Sequence, residues 1–255
     1  MSPPNPTRPG PIRHDPLVQV WRWQIAASSE PVALSWALPV ADGVLAALME
    51  TGWVLRGSRH LPLCLHGPKN PRATGWSHAH AFILPEDADA DGGLDHITIA
   101  ASMGLDPAAL RLLVATGRVN LSNGAALDLV AERMGPLGHA GHAGPARKWI
   151  SRTAYVPPND HGKAGAKDAA NQLRYEIRKR TDPARLSRAP AQLSHIVLGD
   201  HTLAPDIFHL TSENGEARPS SDAFFFQLEF EAPLSGPLAF GWNCHRGLGQ
   251  FVPDE

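Results

Sequence analysis

The residues best suited to chemistry fall in one run, Trp76-Ser77-His78-Ala79-His80-Ala81-Phe82-Ile83-Leu84-Pro85-Glu86-Asp87-Ala88-Asp89-Ala90-Asp91-Gly92, followed after two residues by Asp95-His96-Ile97-Thr98. Side chains two apart on a strand share a face, so His78, His80 and Phe82 point one way. If the acidic loop closes a hairpin with Leu84 opposite Leu94, His80 faces Thr98 and lies diagonal to His96, within reach of one phosphodiester. A one-residue slip would scatter the cluster. Imidazoles titrate near neutrality, which suits general acid and base work on RNA whose 2′-hydroxyl attacks its own phosphate. That chemistry needs no cofactor and no metal.

Each feature also has other readings. H-x-H with a further histidine could hold zinc through three nitrogens, or the histidines could be hydrogen-bonded residues of an ordinary sheet. Asp87-x-Asp89-x-Asp91-Gly92 copies the start of a calcium loop, but the twelfth position is Thr98, where a bidentate Glu belongs. Aspartates also build turns through their own backbone. His96-x-Thr98 and His209-x-Thr211 form a pair of H-x-T motifs, as in two-histidine phosphoesterases.

The elements that must position these groups come from periodicity. The spacing predicts strands at 18–25, 78–84 and 94–101. It predicts helices at 40–49, ended by Gly52, and at 106–117, capped by Asp106 with Pro107 behind it. A further short helix is read at 127–134, and 53–76 reads as a basic loop. Beyond Gly135–Pro145 the pattern restarts with a strand at 148–156, a helix at 167–180, and strands at 193–198, 224–230 and 238–242. The resulting expectation is an α+β chain of two ferredoxin-like modules in tandem. Residues 1–16 form a proline-rich arm, 17–134 the first module, 135–146 a linker and 147–255 the second module.

The chain has 255 residues, a net charge of −2 and 43% hydrophobic residues, enough apolar surface for one large core or two smaller ones. The charge is segregated. The stretch 147–188 carries +7 and the remainder −9, while 51–85 and 232–253 contain no acid. Such segregation suits a polyanion, although a solvated basic helix on an unrelated enzyme would show it too. In the helix at 167–180, Ala170, Leu173 and Ile177 make an apolar stripe, opposite Lys167, Asn171, Arg174 and Arg178. Near the carboxy terminus, Gly241-Trp242-Asn243-Cys244-His245-Arg246-Gly247-Leu248-Gly249 is a glycine-rich turn whose backbone N–H groups suit phosphate oxygens. Two cysteines make no disulfide framework and no apolar run approaches ~18 residues, so a cytoplasmic protein without a membrane span is expected.

Three segments resemble one family. HAHAFILPEDADADGGLDHITI, ARKWISRTAYVPPNDHGK with the basic helix QLRYEIRKR, and GPLAFGWNCHRGLGQFVP are similar to blocks of the CRISPR-associated repeat-processing proteins of type I-G (formerly I-U) systems. The matches span 76–253. Asp160-His161 departs from the more basic pair of the family. The resemblance implies a guide-RNA-maturing endoribonuclease of the repeat-associated RNA-binding superfamily, acting without metal. It implies products with 2′,3′-cyclic phosphate and 5′-hydroxyl ends. It also implies CRISPR repeat RNA as partner, with other effector subunits, and a nuclease half standing without the capping subunit to which family members are often fused. On this reading His78, His80 and His96 are the candidate catalytic residues. Lys148, Arg152, Lys167, Arg174, Arg178, His245 and Arg246 are the candidate RNA contacts. The alternatives are a non-catalytic RNA-binding subunit and a two-histidine cyclic phosphodiesterase.

Overall fold

A computed structural model describes residues 17–67, 80–159, 165–180, 193–198, 208–210 and 222–254. The proline-rich arm, His78, the Asp160-His161 pair and Thr211 lie outside these residues.

The first half begins with β1 (Val20–Ile25), a 3-10 turn at Leu34–Trp36, α1 (Ala37–Arg56) and the four-residue α2 (Leu63–His66). It continues with β2 (Phe82–Glu86), β3 (His96–Ala100), α3 (Pro107–Ala115), β4 (Arg118–Asn120) and β5 (Ala126–Gly135). The sheet order is β2-β3-β1-β5-β4, and every pairing is antiparallel. With β4 set aside as an edge addition, this is the β-α-β-β-α-β ferredoxin-like arrangement.

The second half repeats the plan with β6 (Ala146–Ser151), α4 (Ala166–Arg180), β7 (Leu193–Leu198), β8 (Phe226–Leu234), β9 (Leu238–Ala239) and β10 (Gln250–Pro253). Its order is β7-β8-β6-β10-β9, so β6, β7, β8 and β10 occupy the places of β1, β2, β3 and β5. The protein is therefore α+β, with two ferredoxin-like modules in tandem. Among the described residues the second module differs in that no helix separates β8 from β10. The glycine-rich turn fills that connection.

Local chemistry explains most elements. Asp106 caps α3, its Oδ1 accepting from the Ala109 N–H at 2.8 Å with Pro107 behind it. The helix expected at 40–49 is longer, because Gly52 does not stop it. The chain reverses at Gly57 instead, in the left-handed region with φ 66°. The helix expected at 127–134 is a strand. Leu127, Val130 and Met134 fit helical spacing, but Leu127 and Leu129 are buried on one side and pair with β4 and β1. By length and composition Leu34–Arg56 could cross a bilayer, with mean hydropathy 1.3, yet half of that window is buried inside the protein. Val40, Val44 and Leu48 pack there with Trp23, Ile97 and Ile99.

The core does not divide cleanly between the modules. Ala154, Val156, Phe225 and Leu248 belong to the same apolar cluster as α1 and the first sheet. A second cluster, with Trp149, Leu173, Ile177, Phe226, Phe230 and Phe251, lies under α4. A third joins Val20, Leu84 and Ala100 to Ala140 and Ala143 of the connecting segment and to Ala239 and Cys244. The first-sheet face that carries His96 is thus covered rather than open.

Candidate functional site

The hairpin of β2 and β3 has Leu84 opposite Thr98, Phe82 opposite Ala100 and Glu86 opposite His96. The expected pairing of Leu84 with Leu94 is therefore displaced by four residues. Parity survives the displacement and proximity does not. His80 lies six residues up the chain from Glu86, roughly 20 Å if extended, so His80 and His96 do not share one phosphodiester. The displacement has a physical source: Pro85 and Glu86 extend β2, and Leu94 instead donates its N–H to the Val32 carbonyl.

His80 has another partner, which sequence spacing does not reveal. The glycine-rich turn crosses β2, where the Ile83 N–H donates to the His245 carbonyl at 2.9 Å. The His245 ring stacks on His80 at 4.0 Å between centroids, 7° from parallel, and on Phe82 at 3.9 Å. His245 Nδ1 is 3.0 Å from the Ala81 carbonyl. A carbonyl only accepts, so in the neutral ring Nδ1 carries the proton and Nε2 the lone pair.

On its other side His80 lies against Gly67, where an added Cβ would stand 2.7 Å from Nδ1. The backbone holds that approach, with the Ala81 N–H donating to the Cys64 carbonyl of α2 at 2.7 Å. Burial first, and the charge of His66 second, pull the His80 pKa down to about 4. Its Nδ1 is buried and has no hydrogen-bond partner.

The turn is clamped from both modules. Arg246 pairs with the buried Asp42 of α1 at 3.1 Å. Gly247, at φ 85°, leaves no room for a side chain: a Cβ would come 2.8 Å from Pro85 and 3.1 Å from the Ala37 carbonyl. Gln250 Nε2 donates to the carbonyls of Pro85 and Gly247 at 3.0 and 2.9 Å. From the second module, Glu176 of α4 accepts from the Gly241 N–H at 3.1 Å and the Tyr155 hydroxyl at 3.0 Å. Arg180 pairs with Glu176 at 3.0 Å and lies 3.3 Å from Cys244 Sγ. Burial raises the Cys244 and Tyr155 pKa values, keeping both groups neutral. Both cysteines are free and buried. Asp42, Gly67, Tyr155 and Glu176 escaped sequence reasoning; the i, i+4 pair Glu176/Arg180 was the one local signal among them.

The remaining candidates are dispersed. His96 sits between two carboxylates, with Nδ1 2.7 Å from Asp95 and Nε2 3.6 Å from Glu132. Glu132 also pairs with Arg22, which is buried against Glu86. Arg152 pairs with the buried Asp87. Lys148 is exposed on β6 opposite Glu229. Lys167, Asn171, Arg174 and Arg178 are all exposed along one face of α4, with Ala169, Leu173 and Ile177 buried on the other. Ala169 is buried where Ala170 was expected, and Ala170 is half-buried beside it. Of the described members of the H-x-T pair, Thr98 is fully buried and His209 lies tilted against Trp36 at 4.3 Å between centroids.

No family model matches the chain, and no curated protein does. Similar chain paths occur among solved structures. A Cas6-related protein from Pyrococcus furiosus has TM-score 0.44 and 11% identity, over 92% of this chain and 97% of that one. A RAMP protein described as binding different RNA substrates has TM-score 0.43 and 9% identity, over 94% and 100%. A CRISPR associated protein Cas6 has TM-score 0.37 and 8% identity, over 94% and 99%. The described residues form two ferredoxin-like modules in which the carboxy-terminal turn brings His245 onto His80.

Proposed function

We propose that this chain is an endoribonuclease that cleaves CRISPR repeat transcripts into guide RNA, working in the cytoplasm and in company with other effector subunits. The observation that carries the reading is the stack of His245 on His80 and Phe82, formed where the glycine-rich turn crosses β2. Two imidazoles meet there from positions 80 and 245, and the segments that supply them are the ones that resemble the repeat-processing family.

The arrangement suits transphosphorylation. His245 Nε2 holds a lone pair, so it can take the proton of a 2′-hydroxyl as that oxygen attacks the adjacent phosphorus. The bond to the 5′-oxygen breaks, that oxygen leaves with a proton, and a 2′,3′-cyclic phosphate remains. His80, held neutral, keeps the stack free of a second positive charge. The donor of that proton is sought among the acid/base candidates read from the sequence, His78 among them. No step calls for a metal ion. The exposed row of Lys167, Arg174 and Arg178 can follow the RNA backbone, and Glu176 and Arg180 of the same helix tie that row to the catalytic turn.

One observation favours the rival reading of a binding subunit: a histidine with a pKa of about 4 is a weak base at neutral pH. Incubation with the repeat RNA of its own locus in EDTA separates the two. The nuclease yields a cyclic-phosphate product and fails on RNA with a 2′-deoxy scissile nucleotide. The binding subunit retains RNA and leaves it intact.

A further inference from the structure

We propose that the loop between β2 and β3 binds calcium. Asp87, Asp89 and Asp91 place one carboxylate oxygen each within 4.8 Å of the others. Calcium takes 6–8 oxygen ligands in a flexible shell and draws them from the first, third and fifth positions of loops with this spacing, with glycine sixth. Gly92 holds that sixth position here.

Aspartate loops often close on their own backbone without any ion, and part of this one does. The Asp91 N–H donates to Asp89 and the Gly93 N–H to Asp91, at 3.3 and 2.7 Å. Asp87 is the residue that such a turn does not explain. Its side chain is 0% exposed. Oδ2 accepts from the Gly92 N–H at 2.9 Å and from Arg152. Oδ1 is buried and receives no hydrogen bond. A buried carboxylate oxygen with no donor is costly to desolvate, and a cation coordinated beside it removes that cost.

The surrounding charge points the same way. Glu86 and Asp95 flank the loop in the chain, and Glu132 is linked to Glu86 through Arg22 and to Asp95 through His96; with the three loop aspartates that gives six carboxylates. The guanidinium groups tied to them are those of Arg22, Arg133 and Arg152. The excess is negative and is concentrated at the loop. Asp95 stands ninth in the loop numbering, although its oxygens already accept from the Ala88 N–H. Thr98, twelfth, is buried in β3 and supplies no carboxylate. The ligand set is therefore short by one bidentate residue, which places affinity at the weak end, about 0.1–1 mM. Because Arg152 begins the loop leading away from β6, a cation at Asp87 acts on the joint between the modules. It has no part in proton transfer at His245, so the inference stands apart from the proposed nuclease activity.

Calcium titration of the full chain, freed of metal by chelator, tests this by calorimetry and by thermal unfolding. Saturable heat is expected, with Tm rising roughly 3–6 °C at tenfold over half-saturation. Asp89→Asn with Asp91→Asn, both exposed, should remove both responses and keep the Tm seen in chelator. Arg152→Gln, which takes a competing cation from Asp87, should tighten calcium binding several-fold. Absence of heat and of any Tm change at 10 mM calcium overturns the proposal, as does an unaltered response in the double variant. Should that variant fail to fold, terbium luminescence on the unaltered chain decides. Emission displaced by calcium is expected, and emission indifferent to calcium is contrary.

Discussion

The imidazoles of His80 and His245 lie nearly parallel, and their surroundings divide the work between them. His245 has its tautomer set by the Ala81 carbonyl, so it is assigned the proton transfer; His80 is walled in by Gly67 and the second ring. His245→Ala should lower repeat cleavage by about 10²–10⁴-fold while affinity for the RNA stays within a few-fold. His80→Ala should show a related loss, and the double variant should fall well short of the product of the two, because His80 acts through the stack that seats His245. The buried His80 also leaves a mark on stability. Its pKa in the folded protein is about 4, below the ordinary value of 6.5. The unfolded chain therefore binds the proton more readily. Stability is full above pH 6.5 and is lost as pH falls toward 4, by up to about 3 kcal/mol. Urea unfolding at pH 7 and pH 4.5 should show that fall in the native chain and a smaller one in His80→Gln. An equal fall in both would contradict the environment described for this ring.

At the scale of elements, α4 was the most legible part of the sequence and the β2–β3 hairpin the least. The helix announces itself through Leu173 and Ile177 against Lys167, Arg174 and Arg178, a pattern that local periodicity alone produces. Arg174→Ala with Arg178→Ala should weaken RNA binding and flatten its salt dependence, by roughly 0.7–0.9 in slope for each phosphate no longer neutralised. The unfolding midpoint should hardly move, and an unchanged salt slope would make the row a solvated surface. The hairpin kept its parity, since Ile97 and Ile99 could only face the helices, whereas its register depended on where Pro85 and Glu86 end the strand. Leu127–Met134 fitted two periods equally, and cross-strand pairing with β1 and β4 decided between them. The seat of His245 on β2 was not legible at all. It joins residues 164 positions apart, and what permits it is an Asp on α1 and a glycine with no room for a side chain. Glu176→Gln removes the charge that pairs with Arg180 beneath the turn. It should open Gly241–Gly249 to proteolysis and slow cleavage, with Glu176→Asp restoring part of both; equal resistance in Glu176→Gln would contradict the clamp.

The whole molecule behaves as two modules that share a core. Ala154, Val156, Phe225 and Leu248 from the second half pack in the cluster built on α1. Arg22 and Glu86 form a buried pair on the face that the connecting segment covers. Thermal unfolding should accordingly be one transition with equal calorimetric and van't Hoff enthalpies, and two resolved transitions would show that the modules stand independently. Glu86→Ala, which leaves Arg22 buried with less countercharge, should destabilise the whole chain by about 3–5 kcal/mol. The sharing also explains why the turn at 241–249 can serve the first module: it occupies the connection where the second module has no helix. The proposed activity stands on that meeting of turn and strand. The most direct test is cleavage of the cognate repeat RNA in EDTA by the native chain and by His245→Ala. The native chain should release a 2′,3′-cyclic phosphate without added metal, and His245→Ala should bind the same RNA and cleave it at least about a hundredfold more slowly. Cleavage by His245→Ala at the native rate would contradict the assignment of this histidine and, with it, the proposed activity of the site.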